Sequence, residues 1–155
     1  MQISTHRTIT ASGRLRQLVD FLHLFTKFRS TKISHIVQIQ TQVRDAAAIA
    51  AACKRLGLAP PISGQHKLFT STATGLAVKL SGWNYPVVCD LSSGQLQYDN
   101  YEGRWGSPAK LSEFLQAYAV ERAKIEARKK GHTVTEQTLV SGDIKLTIHV
   151  SGGAA

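Results

Sequence analysis

In "SHIVQIQTQV" (34–43), His35, Val37, Ile39, Thr41 and Val43 fall on one face and Ile36, Gln38, Gln40 and Gln42 on the other. That period of two predicts a half-buried strand. The period then lengthens. Asp45 offers an N-cap to "AAAIAAACKRL", whose Ile49, Ala52, Cys53 and Leu56 share a helical face, and Gly57 supplies the stop. "GQHKLFTST" and "GLAVKLSG" predict two short strands in a hairpin, with Leu76, Val78 and Leu80 on one face. "NYPVVCDLSSGQLQYDNY" predicts a second hairpin around "SSGQ", in which Tyr85, Val87, Cys89 and Leu91 point inward and Leu96, Tyr98 and Asn100 follow. Pro86 lacks an N–H, so it belongs at an edge or at the start of its strand.

Ser107 and Pro108 suit the cap and first position of a helix from about Ala109 to Lys130, with Leu111, Phe114, Leu115, Tyr118 and Ile125 as its apolar stripe. Lys110 with Glu113, Arg122 with Glu126, and Glu126 with Lys130 have the spacing of ion pairs on an exposed helix face. Gly131 ends the helix, and "HTVTEQTL" and "IKLTIHV" predict two strands around "VSGD". The order β-α-β-β-β-β-α-β-β implies an α+β domain over residues 33–152, a mostly antiparallel sheet covered on one face by two helices.

The first 32 residues differ in kind. They are rich in Thr, Ser and Arg, and Leu15, Leu18, Leu22 and Phe25 recur at helical spacing. The stretch reads as a basic extension, either flexible or a docking helix, and its composition also matches a targeting segment. "LVDFLHLF" (18–25) is too short to span a bilayer and is interrupted by Asp20 and His23, so no membrane span is expected.

Among 155 residues, 43% hydrophobic content suffices for one core, and 19 Lys plus Arg against 10 Asp plus Glu give a formal charge of +9. Such an excess invites nucleic acid or an acidic partner. Its distribution weakens that idea. Residues 1–32 contribute +5 and residues 33–155 only +4, so a nucleic acid would bind mainly through the extension. Arg128, Lys129 and Lys130 sit in the last helical turn, where cations meet the negative end of the helix dipole. With Arg122 they form a candidate surface for an anionic partner. Cys53 and Cys89 occupy apolar positions, as free thiols in a reducing cytoplasm would.

Four segments carry a family likeness: "SHIVQIQTQVRD" (34–45), "YPVVCDLSSGQLQYDNYEGRWG" (85–106), "FLQAYAVERAKIEARKKGHTVTEQ" (114–137) and "GDIKLTIHV" (142–150). Together they resemble the domain of unknown function 1257 family of cyanobacteria, plastids, planctomycetes and some phages, the planctomycete branch in particular. Family members usually begin at a methionine directly before the Ser-His pair, a position held here by Ile33. The resemblance implies no established activity. It does imply an accessory role beside an AAA-type ATPase.

Catalytic and metal chemistry find little support in the residues. His35, His66, His132, His149, Cys53 and Cys89 include no pair at CxxC, HxxxH or HExxH spacing. Asp90, Asp99 and Glu102 lie at hairpin ends, where carboxylates more often shape turns than exchange protons. GxSxG, GxxxxGK[ST] and GxGxxG are all missing from the chain. No cofactor is expected.

"YDNYEGRWG" (98–106) is more informative, because Tyr, Trp and Arg dominate binding hot spots. Gly103 and Gly106 bracket Arg104 and Trp105 with permissive backbone, which makes Tyr101, Glu102, Arg104 and Trp105 candidate partner-binding residues. The leading expectation is a non-enzymatic accessory or protein-binding module. A basic nucleic-acid-binding domain and an enzyme of unrecognised type are the alternatives.

Overall fold

The computed structural model describes residues 6–11, 36–40 and 42–151. Strand β1 spans His6–Ala11 and β2 Ile36–Gln40; helix α1 (Ala46–Arg55) follows, then β3 (Ile62–Lys67), β4 (Thr72–Val78), β5 (Val87–Asp90) and β6 (Gln95–Asp99). A 3₁₀ turn at Tyr101–Gly103 leads to α2 (Pro108–Lys129), β7 (Thr133–Thr138) and β8 (Ile144–His149). From Ile36 onward the order is the one the hydrophobic pattern predicts, the class is α+β, and every strand pairing is antiparallel.

The strands divide into two sheets rather than one. β2-β6-β5-β4-β3 make a five-stranded sheet, and β1-β8-β7 a three-stranded one. The 22 residues of α2 carry the chain roughly 33 Å before the last hairpin begins. That hairpin therefore pairs with β1, in the register Arg7 to Ile148. The basic N-terminal stretch thus contributes a strand at His6–Ala11, while its helical spacing from Leu15 to Phe25 lies outside the described residues.

Local signals behave as their chemistry requires. Asp45 Oδ1 accepts from the Ala48 N–H at 3.1 Å, and Gly57 at φ +66° lets the Leu58 N–H reach the Cys53 carbonyl at 2.9 Å. Pro108 occupies the first turn of α2, but the Ser107 side chain makes no cap. Its carbonyl instead accepts from the Lys110 N–H at 3.1 Å and from Trp83 Nε1 at 3.2 Å.

α2 departs from a single apolar stripe. Phe114 to Val120 are buried without interruption, because this part of the helix packs against α1 while its core residues also meet Ile144 and Leu146 of β8. From the five-stranded sheet, Val78, Val87, Cys89, Leu96 and Tyr98 join the same core. Tyr118 lies at its centre and is not merely apolar filling. Its hydroxyl donates to the Gln42 carbonyl at 3.2 Å and accepts from the N–H groups of Arg44 and Asp45. The loop that starts α1 is thereby fixed to α2. At the surface, Arg55 of α1 pairs with Glu121 at 2.8 Å and with Glu136 of β7, and Lys124 bridges the same two carboxylates.

The β3–β4 hairpin departs from the hydrophobic pattern. Its turn is Leu68–Ser71, closed by the Leu68 N–H on the Ser71 carbonyl at 2.8 Å, within a stretch whose alternation predicts a strand. Gly75, which suggests a strand start, is mid-strand opposite Gly64, at φ +157° and +146° respectively. A Cβ at Gly75 would lie 2.3 Å from the Cys89 carbonyl oxygen. This bare cross-strand pair spares a clash with the β5 backbone, and the sheet also buries side chains on its second face. Leu68, Ala73, Ala77 and Val88 form a second, smaller core there, with Tyr85 packed against it.

Candidate functional site

The β3–β4 turn and the loop after β6 meet at their aromatic side chains. Phe69 lies 4.6 Å from Trp105 and 6.2 Å from Tyr85, ring centre to ring centre. Trp105 also stacks on Tyr101 at 4.7 Å and meets Tyr85 edge-on at 5.6 Å. Arg104 sets its guanidinium 4.9 Å above the Tyr101 ring. Trp105 is thus the hub of four rings, itself half-buried, and Phe69 remains 47% exposed at their margin.

The backbone beneath them is tightly determined. The Asn100 carbonyl accepts from the N–H groups of Gly103 and Trp105, each at 3.0 Å, and the Asn84 N–H donates to the Trp105 carbonyl at 2.8 Å. Tyr101 and Glu102 are held at φ +44° and +53°, a conformation costing on the order of 1–3 kcal/mol for each side-chain-bearing residue. Gly106 lies flat on Trp83, where a Cβ would come 2.3 Å from the indole. Trp83 in turn packs edge-on against Tyr98 at 5.4 Å. The loop stands on the main core.

Of the predicted partner-binding residues, Tyr101, Arg104 and Trp105 come together, and Glu102 is exposed between them. Phe69 and Tyr85 are not singled out by the sequence as members of this surface. A signal was available: Leu68 and Phe69 are adjacent large apolar residues, and neighbours in an extended chain cannot both face one core. The basic set stays apart. Arg128, Lys129 and Lys130 are exposed at the end of α2, with Lys129 on Glu126 at 3.1 Å, whereas Arg122 is half-buried and donates to the Gln42 carbonyl at 3.1 Å.

The candidate acids and thiols are absorbed by the fold. Asp90 accepts from the hydroxyl of Ser92 at 2.6 Å and of Ser93 at 2.7 Å, and these bonds with the Ser92 and Ser93 amides hold its carboxyl down to about 2. Arg44 closes the same turn by donating to the carbonyls of Ser92 and Ser93. Asp99 is fully buried; its Oδ1 accepts from the Tyr101 N–H at 3.2 Å, and its Oδ2 has no hydrogen-bond partner among the described residues. Cys53 and Cys89 are buried free thiols. Burial, then the neighbouring Cys53 thiol, pushes Cys89 up to about 12, and burial raises Cys53. Both stay neutral, which suits packing and not nucleophilic attack.

His66 Nε2 lies 3.0 Å from the Ile62 carbonyl and His149 Nε2 3.3 Å from Thr135 Oγ1. Among the described residues, no three His, Cys, Asp or Glu side chains are placed to share a metal ion. None of the described helices is long and apolar enough to cross a membrane.

The chain matches no family model, no curated protein and no solved structure.

Proposed function

We propose that this protein is a non-enzymatic accessory module that binds a protein partner through the ring cluster around Trp105. The observation that carries the reading is the assembly of Phe69, Tyr85, Tyr101 and Trp105 from separate segments into one partly exposed surface, with Arg104 over it and a strained backbone beneath. Aromatic rings and arginine give large contact area with little conformational freedom to lose, the composition of interface hot spots. Strain that a fold maintains at one surface loop is a mark of a working site.

The resemblance to the domain of unknown function 1257 family supports the same reading, and it names an AAA-type ATPase as the first partner to test. The rival is nucleic-acid binding, because rings with an arginine also stack on bases. Retention of the wild-type chain and of Phe69→Ser/Arg104→Ser on the purified ATPase and on single-stranded nucleic acid separates the two. Binding to the ATPase at ordinary salt, weakened at least tenfold by the double variant, supports the proposal. Retention only on nucleic acid, lost between about 50 and 200 mM salt, overturns it.

A further inference from the structure

The ring cluster does not end at Tyr85. Asn84 and Pro86, the residues on either side of it, line a cavity of about 280 Å³ whose apolar wall is completed by Ala59, Pro60, Ile62 and Ala77. The Asn84 N–H donates to the Trp105 carbonyl at 2.8 Å, so one short segment joins cavity and rings into a single surface. Ile62 is 65% exposed at the cavity and Phe69 47% exposed at the rings, two of the three large apolar side chains left exposed among the described residues. Apolar surface that continues across separate elements marks an interaction site.

The chemistry of this surface narrows what it can hold. Along the apolar wall a peptide N–H would lose water without gaining an acceptor, and proline has no N–H to lose. The rings meet steeply, Phe69 with Trp105 at 56°, Tyr85 with Trp105 at 61° and Phe69 with Tyr85 at 63°. Rings so set present edges and notches that suit a pyrrolidine ring, and not the open flat face on which a base stacks. The one near-parallel pair, Trp105 on Tyr101 at 28°, covers its own faces, and Arg104 lies over Tyr101 as well. Donors stand at the rim. Asn84 is exposed and Tyr85 half-buried, and an amide and a phenol can serve the carbonyls that a polyproline II chain leaves unbonded. Lys79 at the cavity and Arg104 at the rings face only Glu102 in opposition, which favours acidic over basic residues beside the prolines.

We propose, on the reading that the ring cluster is the docking surface, that it binds a proline-rich segment with acidic flanks in the polyproline II conformation. One proline enters the cavity beside Ile62 and Ala77, and another lies against Tyr85, Phe69 and Trp105. Such a segment is extended before it binds, so little conformational freedom is lost on docking.

The test is a titration of the ¹⁵N-labelled full chain with an end-blocked oligoproline carrying glutamate at both ends. Saturable shifts should appear at the Asn84 and Tyr85 amides and at the Trp105 indole N–H, with a Kd on the order of 0.1–1 mM. Exchanging the prolines for serine and glycine should weaken binding at least tenfold, and exchanging the glutamates for lysine should weaken it further than the wild-type peptide. Ile62→Ser changes a mostly exposed side chain, so the spectrum should be kept elsewhere while affinity falls several-fold; Phe69→Ser should do the same from the ring side. Equal binding of the proline and serine–glycine peptides, no shift at the three named groups, or the same shifts raised more readily by a single-stranded oligonucleotide would overturn the proposal. A chain that ignores the oligoproline yet loses a protein complex through Phe69→Ser/Arg104→Ser would end the proline specificity and leave the docking reading standing; a complex indifferent to that double variant would remove the reading itself.

Discussion

Replacing Trp105 with alanine should destabilise the protein by about 2–3 kcal/mol, a figure that follows from its intermediate position. A fully buried aromatic truncated to alanine costs about 3–5 kcal/mol, and an ordinary surface substitution about 0.5 kcal/mol or less. Trp105 is half-buried, so about half of the transfer contribution applies. The ring contacts with Tyr101, Phe69 and Tyr85 are largely contained in that truncation figure, so they raise the half value of about 1.5–2.5 kcal/mol only to about 2–3 kcal/mol. The bonds from Asn100 and Asn84 involve main-chain atoms and survive the substitution. Urea unfolding followed by far-UV circular dichroism measures the change, provided the m value is unaltered. A double-mutant cycle with Phe69→Ala should return a coupling of about 0.5–1.5 kcal/mol. A loss below about 1 kcal/mol with no coupling would mean that the rings do not pack; a loss above about 4 kcal/mol would make Trp105 a member of the main core.

Tyr118→Phe deprives the Asp45 N–H of its acceptor, while the Arg44 N–H keeps the Gln42 carbonyl at 3.0 Å, so it should cost about 1–3 kcal/mol and speed exchange of the Asp45 amide. Gly75→Ala forces a methyl to within 2.3 Å of the Cys89 carbonyl and should cost more than about 2 kcal/mol in urea unfolding. Gly64→Ala meets nothing nearer than His66 Nε2 at 3.9 Å and should cost less. The Asp90 carboxyl, held at about 2 in the fold, lies below its unfolded value of about 3.9. Its stabilisation is therefore complete above that value and is lost as pH falls through about 2. Asp90→Asn should flatten the acid limb of a stability profile between about pH 4 and 2 and lower its neutral plateau.

Local chemistry is legible in the sequence wherever one residue decides the backbone. Asp45, Gly57, Pro108 and Gly131 mark helix boundaries, because a cap, a left-handed residue or a missing N–H acts over one turn. Alternation locates β2, β6 and β8 for the same reason. Gly75 misleads, since a glycine inside a strand and one that begins it look alike until its partner Gly64 is known. The division into two sheets and the pairing of β1 with β8 join segments more than a hundred residues apart, which no local period records. The candidate site divides along the same line. Tyr101, Arg104 and Trp105 lie in one nine-residue stretch and stand out there; Phe69, from the β3–β4 turn, and Tyr85, from the β4–β5 loop, reach Trp105 only through the tertiary fold.

Hydrogen–deuterium exchange of the chain alone and in complex with the partner it retains at ordinary salt tests the central claim most directly. If the ring cluster is the docking surface, protection appears at 68–72 and 99–106, and Phe69→Ser/Arg104→Ser loses the complex while keeping its thermal midpoint within a few degrees. Protection confined to the basic end of α2, or a complex indifferent to both substitutions, would contradict the account.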